Sequence, residues 1–356
     1  MSRDALRAQF PILERVAYLN AGTDGPVPQA AQQAAVRELA SQVEQGRTTA
    51  HFERRFELQD GLRTGYAELL GCDVADIALS TSTSEGIGKV LAGLDVGADD
   101  EIVTSTDEHP GLIGPLIAAR ARGARIRAVP FTELADAVGP ATTLVATSHV
   151  NWRTGELAPP ELADTGVPLI LDGAQGAGAI PVDVLKLNCA AYAASGQKWL
   201  CGADGTGMLY LAREFRERVN AIAPSYLSFA DASRGFESEL KADARRYDTP
   251  SLAREVIAFS LAALDILRAA DLSAVLARGP VLAATLAGRL EAHGRTVAPR
   301  GHTTLVAWED DDPEATRDRL AAADVIVRNL PGTPLVRASV GAWSSEDDLD
   351  RLLDGL

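Results

Sequence analysis

The segment Leu-Ile-Leu-Asp-Gly-Ala-Gln at residues 169–175 decides the fold class, because it is an apolar strand that ends in an aspartate. A run of Leu and Ile without polar alternation is typical of a strand buried on both faces of a parallel sheet. Ligands of such sheets bind beyond the carboxyl ends of the strands, so Asp172 is placed to meet one. An Asp that only caps a turn is the alternative for this segment taken alone.

Similar apolar runs lie on both sides of this segment. They predict strands at residues 77–80, 102–105, 125–129, 144–147, 169–172, 191–194 and 208–211. Helical patterns, such as residues 84–93 and 110–123, separate several of these strands. The alternation predicts an α/β domain with a mostly parallel seven-stranded sheet.

The pattern changes after Pro250. Two helices rich in Ala and Leu, at residues 252–269 and 273–293, precede short strands and helices that predict a small C-terminal α+β domain. We therefore expect a large domain at residues 15–250 and a small one at 251–356, with residues 1–14 packed beside the small domain.

Composition excludes several classes of function. The 356 residues carry a net charge of −15, which argues against a nucleic-acid partner, because phosphate binding needs clustered Lys and Arg. The N-terminus lacks the apolar core of a signal peptide, and no run of about 18 apolar residues predicts a membrane span, so we expect a cytoplasmic protein. Cys72, Cys189 and Cys201 are too widely spaced to predict a metal site or a disulfide framework.

A lysine in an apolar, Gly-containing segment is the first candidate catalytic group. Residues 194–200 read Ala-Ser-Gly-Gln-Lys-Trp-Leu, and Lys198 is one of only four lysines among 34 basic residues. A half-buried lysine has a depressed pKa and is a nucleophile towards carbonyls. A lysine in a surface loop is the alternative, which the apolar neighbours Trp199 and Leu200 disfavour.

A cluster of hydroxyl residues follows the strand predicted at 77–80. Ser82, Thr83 and Ser84 stand where that strand ends and a helix begins. The first N–H groups of a helix, together with hydroxyls, bind phosphate well. A plain helix cap is the alternative, since caps also favour Ser and Thr.

The order of these segments resembles the class V aminotransferase family of PLP-dependent enzymes, in the branch with cysteine desulfurases and isopenicillin-epimerase-like proteins. The resemblance runs from Tyr18 to the C-terminus. It rests on Asp-x-Ala-Gln at 172–175, on Ser-Gly-x-Lys-Trp-Leu-x-Gly at 195–202, and on Gly-Thr-Gly at 205–207. It implies the type I PLP-dependent transferase fold, bound pyridoxal 5'-phosphate (PLP), a small-molecule amino-acid substrate, and a homodimer with active sites at the interface.

The resemblance also assigns roles around the cofactor ring. Lys198 would bind PLP as a Schiff base and move the Cα proton, and Asp172 would pair with the pyridine nitrogen. Gln175 would donate to the phenolic oxygen of the ring, and His109 would stack on the ring. Asn151 is the remaining predicted contact; desulfurases carry an Asn near this oxygen, but at the place of Trp152.

Phosphate and carboxylate contacts complete the predicted site. Ser82, Thr83 and Ser84 would hold the phosphate with Ser195 and with Gln197, which stands where relatives often have His. Thr249 matches a segment that reaches the phosphate of the neighbouring subunit. Arg337 matches the arginine that binds the substrate α-carboxylate, for which a guanidinium is suited.

The type of reaction stays open at this point. Desulfurases carry a nucleophilic Cys shortly before the carboxylate-binding Arg, and residues 328–334 contain none. Transamination and β-elimination with C–S bond cleavage are both compatible with the motifs, and amino-acid epimerisation is a further alternative. A non-catalytic partner protein on the same fold would be favoured by loss of Lys198 or Asp172, and both are present. A nucleotide-binding protein would carry a Gly-rich loop after the first strand, and no G-x-G-x-x-G or Walker sequence is present.

Overall fold

A computed structural model describes residues 2–356 of the chain. In this part of the chain, twelve strands follow one another as β1 (Ala17–Tyr18), β2 (Ile77–Ser80), β3 (Glu101–Ser105), β4 (Arg125–Val129), β5 (Thr142–Ser148), β6 (Leu169–Asp172), β7 (Ala191–Ser195), β8 (Gly207–Leu211), β9 (Leu305–Glu309), β10 (Val325–Ile326), β11 (Arg328–Asn329) and β12 (Leu335–Ser339). The α-helices of the same residues are α1 (Arg3–Arg7), α2 (Gln29–Gln45), α3 (Thr49–Leu70), α4 (Thr83–Gly93), α5 (Pro110–Ala121), α6 (Leu134–Ala137), α7 (Arg213–Arg216), α8 (Arg254–Ala269), α9 (Leu272–Ala292), α10 (Pro313–Ala322) and α11 (Glu346–Asp354).

Seven strands form the central sheet in the order β2-β8-β7-β6-β5-β3-β4. Only β8 runs antiparallel to its neighbours, so the sheet is mostly parallel, as predicted. Each predicted strand of this sheet is confirmed to within two residues. The edge strand β4 differs from the others because Arg125 and Arg127 interrupt its apolar residues; charges of this kind protect an open sheet edge from pairing with other chains.

Helices cover both faces of this sheet. On one face, α4 and α5 pack on alternate strand residues such as Ala78, Ile102 and Ile170. On the other face, α3 and α8 pack on the intervening residues, including Leu79 and Leu171. Both faces are therefore apolar, which explains the uninterrupted hydrophobic runs in the sequence.

A second core belongs to the C-terminal region. The antiparallel sheet β11-β12-β9 packs on α9 and α11 through Trp308 and Leu349. The short strand β1 joins this core by pairing in parallel with β10. At the N-terminus, Arg7 forms an ion pair of 2.6 Å with Asp348 at the start of α11. The ring centroids of Phe10 and Trp343 lie 5.2 Å apart. The limits 15–250 and 251–356 stay a prediction, since α8 packs with the large sheet and the second half of α9 packs with the small one.

Candidate active site

A pocket of about 230 Å³ lies at the carboxyl ends of the central strands. The loops after β2, β3, β5, β6 and β7 form most of its wall. Among the described residues its lining comprises Gly22, Thr23, Ser82, Thr83, Ser84, His109, Trp152, Asp172, Ala174, Gln175, Ser195, Gln197, Lys198, Arg328 and Arg337. The pocket thus lies at the edge of the sheet where parallel α/β folds bind their ligands.

Asp172 lies at the last position of β6, where it is buried. Its Oδ1 accepts a hydrogen bond of 2.9 Å from the backbone N–H of Ala174. Burial raises the pKa of Asp172, while the bond from Ala174 and the charge of Lys198 oppose that rise. A buried carboxylate is costly in free energy unless a cation or an N–H donor pairs with it.

Lys198 is half-buried on the turn that follows β7. Burial lowers the pKa of its amine to about 8, and the nearby carboxylate of Asp172 limits the decrease. The turn packs tightly against the N-terminal segment: Gly25 N–H donates to the carbonyl of Gln197 at 2.8 Å, and a Cβ at Gly25 would lie 2.1 Å from the Lys198 carbonyl. The amine is therefore partly neutral near physiological pH, as a nucleophile or a base requires.

The start of α4 forms an anion-binding corner of the pocket. The hydroxyl of Ser195 accepts from the backbone N–H of Thr83 at 3.1 Å and lies 2.7 Å from the Thr83 hydroxyl. Ser82 caps the helix by accepting from Glu85 N–H at 3.1 Å. Gln197 also lines this pocket, and its buried Oε1 has no hydrogen-bond partner. Helix N–H groups and hydroxyls in one corner suit a phosphate.

His109 lines the pocket and is also the N-cap of α5. Its Nδ1 accepts from Gly111 N–H at 3.0 Å, which places any ring proton on Nε2. Burial lowers its pKa to about 4, and the charges of Lys198 and Arg328 add to the effect. The ring is therefore neutral at pH 7 and meets the edge of Trp152 at a centroid distance of 5.2 Å.

Arg337 is a buried cation with unused donors. Only 1% of its surface is exposed, and its Nη1 donates to the backbone carbonyl of Trp152. Its Nε and Nη2 have no partner among the described residues. Burial lowers its pKa to about 9, with a further contribution from Arg328, yet it remains charged at neutral pH. A carboxylate would satisfy these N–H groups bidentately.

Two predicted contacts lie outside the pocket wall. The Oδ1 of Asn151 accepts from Arg153 N–H at 2.9 Å and so shapes the turn after β5, while Trp152 faces the pocket. Thr249 donates to Glu85 at 2.6 Å and accepts from Lys89 Nζ at 2.7 Å, both residues of α4. The contacts predicted for both residues stay predictions, and the buried Nδ2 of Asn151 has no hydrogen-bond partner.

The pocket also contains residues that the motifs did not indicate. Gly22 and Thr23 come from the loop after β1, and Arg328 comes from β11. Arg328 Nη1 donates to the Thr23 hydroxyl at 3.1 Å, so the two segments meet across the pocket. In the sequence, only the start of the family resemblance at Tyr18 indicates that this N-terminal segment contributes residues to the pocket.

The residues present fit PLP. The pocket combines an anion corner at α4, a buried carboxylate, a lysine of lowered pKa and a neutral imidazole. The unpaired N–H groups of Arg337 are buried donors that need an acceptor, as expected beside the carboxylate of an amino-acid substrate. Residues 2–356 contain no group of His, Cys, Asp and Glu that could hold a metal ion. This fold and this site are those of a type I PLP-dependent enzyme.

The chain belongs to the class V aminotransferase family, because the Aminotransferase class-V profile matches residues 17–352. Isopenicillin N epimerase of Streptomyces clavuligerus is 29% identical over 332 residues, which cover 83% of this chain and 82% of that enzyme. A cysteine desulfurase of Dickeya dadantii is 26% identical over 403 residues, covering 99% of this chain and 95% of the relative. The protein is thus a PLP-dependent enzyme of this family.

Solved structures agree with the family assignment. The complex of the cystine C–S lyase C-DES with cysteine persulfide has a TM-score of 0.89 and 27% identity, covering 97% of this chain and 98% of that chain. A C-DES mutant with glycine covalently linked to PLP has a TM-score of 0.89 and 26% identity, covering 98% of both chains. The predicted type I fold with its mostly parallel sheet is confirmed.

Proposed function

We propose that the enzyme cleaves the Cβ–S bond of a sulfur-substituted amino acid by direct β-elimination. The observation that carries this proposal is the location of the thiols, since Cys72, Cys189 and Cys201 all lie outside the pocket wall. Burial raises the pKa of Cys72 and Cys189 to about 12 and raises that of Cys201 well above its ordinary value, so none is a thiolate at neutral pH. A desulfurase reaction needs a mobile thiolate beside the substrate.

Each of four pocket residues would have a separate role in the elimination. Arg337 would hold the α-carboxylate, and the amine of Lys198 would remove the proton from Cα. Asp172 would keep the pyridine nitrogen protonated, and Gln175 would donate an N–H to the ring oxygen. PLP, when bound, supplies the electron sink for the pair left at Cα.

Bond changes then follow from that proton transfer. The Cα–H and Cβ–S bonds break, a Cα–Cβ double bond forms, and the sulfur leaves with its electron pair. Hydrolysis of the released enamine consumes one water and gives a 2-keto acid and ammonia. For a cysteine conjugate, the products would be pyruvate, ammonia and a thiol.

A second guanidinium narrows the substrate class. Arg328 lines the pocket together with Arg337, so two cations face one small cavity. This arrangement favours a substrate whose sulfur substituent carries its own carboxylate, such as cystine, the substrate named for C-DES. We expect cystine to be cleaved more efficiently than S-alkyl cysteines, and Arg328→Ala to remove that preference.

The test uses a variant without thiols, Cys72→Ser with Cys189→Ala and Cys201→Ala. Direct elimination predicts that the variant still converts cystine to pyruvate in equal amount to ammonia. Loss of turnover, with a protein-bound persulfide in the unmodified enzyme, would show desulfurase chemistry instead. Keto-acid formation that depends on an added amino acceptor would identify transamination, and racemisation without keto acid would identify an epimerase, the activity of the 29% identical relative.

We also propose that the enzyme works as a cytoplasmic homodimer. No helix among residues 2–356 is long and apolar enough to cross a membrane. Tyr226 is half-exposed and Phe236 fully exposed on the loop before Thr249, and large exposed aromatics commonly mark an interface. The loop and Thr249 would reach the site of the neighbouring subunit.

A further inference from the structure

The side-chain amide of Gln175 has two hydrogen-bond partners, one that binds its oxygen and one that binds its nitrogen. Trp199 Nε1 donates to Oε1 at 3.0 Å, and Nε2 donates to the backbone carbonyl of Gly22 at 2.8 Å. An indole N–H can only donate and a carbonyl can only accept, so the amide has one orientation. The side chains are 1% exposed for Trp199 and 4% exposed for Gln175. Water therefore does not replace either partner.

This orientation leaves one N–H of Nε2 without a partner, on a side chain that lines the pocket. Trp199 itself is not part of the described pocket wall. We infer that Trp199 is a positioning residue: it fixes Gln175 so that the remaining Nε2 hydrogen is presented to the ring oxygen of the cofactor. The inference rests on the proposed contact between Gln175 and that oxygen.

Removal of the indole N–H has a defined electrostatic consequence. Oε1 of Gln175 would be buried without a donor, which disfavours the present orientation. The N–H offered to the cofactor would then be lost for part of the time. A donor stabilises the anionic form of a phenolic oxygen, so its loss raises the pH at which the visible absorption of the bound cofactor changes.

The experiment is a pH titration of the visible absorption of the holoenzyme, which is independent of turnover. We expect Gln175→Leu to raise the midpoint by about one pH unit or more, and Trp199→Phe by roughly half a unit or more. In the double variant, Trp199→Phe should add nothing to the effect of Gln175→Leu, because the indole acts only through the amide. Trp308→Phe is the matched control, since Trp308 is equally buried and its Nε1 has no hydrogen-bond partner.

The four titrations distinguish the ring contact of Gln175 from the role of Trp199. An unchanged midpoint in Gln175→Leu would overturn the proposed ring contact and the inference with it. A shift in Gln175→Leu without one in Trp199→Phe would overturn only the role of Trp199, as would equal shifts from Trp199→Phe in both backgrounds. If Trp199→Phe does not fold, replacement of Trp199 by benzothienylalanine removes the N–H and keeps the ring volume; the same midpoint rise is expected, and its absence counts against the inference.

Discussion

At the scale of single residues, the charge on Lys198 is set by its neighbours. Burial lowers the pKa of its amine to about 8, and Asp172 raises it. Attack on the cofactor aldehyde needs the neutral amine. We therefore predict that covalent attachment of PLP to the cofactor-free enzyme accelerates with pH, with a midpoint near pH 8, as followed by stopped-flow absorption.

Two variants test whether the midpoint of attachment belongs to the Lys198 amine. Asp172→Asn removes the charge that favours the protonated amine, so the midpoint should move to lower pH. Lys198→Ala should abolish attachment, and borohydride should label no other lysine. A midpoint that stays near the ordinary lysine value of about 10.4 would show that the amine is not desolvated.

Arg337 provides the second prediction at this scale. Arg337→Ala should raise KM strongly and lower kcat/KM by roughly 100-fold or more, because a charge-assisted bidentate contact is lost in a buried site. Arg337→Lys should restore little, since an ammonium lacks the planar fork. Arg289→Ala is the control, because Arg289 pairs with Glu346 and Asp350 on the surface. An unchanged KM in Arg337→Ala would remove Arg337 from the substrate site.

The site residues differ in how far the sequence could predict them. Asp172 ends one buried strand and Lys198 follows another, each within a local motif, so their placement needed no tertiary information. Arg328 and Gly22 are more than 300 residues apart and meet only because β1 pairs with β10 and Asn20 bridges to Ser339. Asn151 stays a prediction: its Oδ1 closes a turn by accepting from Arg153 N–H, a bond that no motif indicates, and its buried Nδ2 has no hydrogen-bond partner.

At the scale of elements, helix packing limited what could be predicted. The strands were recognisable because both their faces are apolar. Helices α2 and α3 have no comparably clear hydrophobic pattern in the sequence. In α3, glycines form part of the contact with α8: Gly61 faces Leu261 and Gly65 faces Leu264. A Cβ at Gly65 would lie 2.4 Å from the Leu264 side chain. Glycine usually weakens a helix prediction, yet here it allows close contact between helices.

A buried ion pair joins α3, β2 and the segment that carries Thr249. Arg63 donates to both carboxylate oxygens of Asp248 at 3.0 and 2.8 Å, and Asp248 also accepts from Leu79 N–H at 2.8 Å. Asp248→Asn leaves the Arg63 charge buried without a counter-charge. We predict a loss of about 3–5 kcal/mol in the free energy of unfolding, measured by urea denaturation. Asp318→Asn, in an exposed pair with Arg317, should change it by less than about 1 kcal/mol; equal effects would mean that burial does not matter here.

At the scale of the whole molecule, one surface of the chain carries several exposed aromatic residues. Phe52 and Phe56 on α3 are 46% and 42% exposed, and Arg55 lies between them at 5.4 and 5.5 Å from their ring centroids. Arg55 also donates to the hydroxyl of Tyr226 at 2.6 Å, which connects this surface to the loop that carries Phe236. Exposed aromatics with an arginine are the composition expected of an interface core.

The homodimer prediction can be tested on this surface. Phe56→Asp with Tyr226→Asp places two carboxylates in the expected interface, where burial of unpaired charge is costly. We expect the unmodified enzyme to sediment as a dimer and the double variant to sediment as a monomer. The variant should also bind PLP more weakly, because the loop and Thr249 would no longer reach a neighbouring site. Val281→Asp is the matched control, since Val281 is a comparably exposed apolar residue on α9, and it should change neither property. A monomer with full activity and unchanged PLP affinity at the assay concentration would show that each site is complete within one chain.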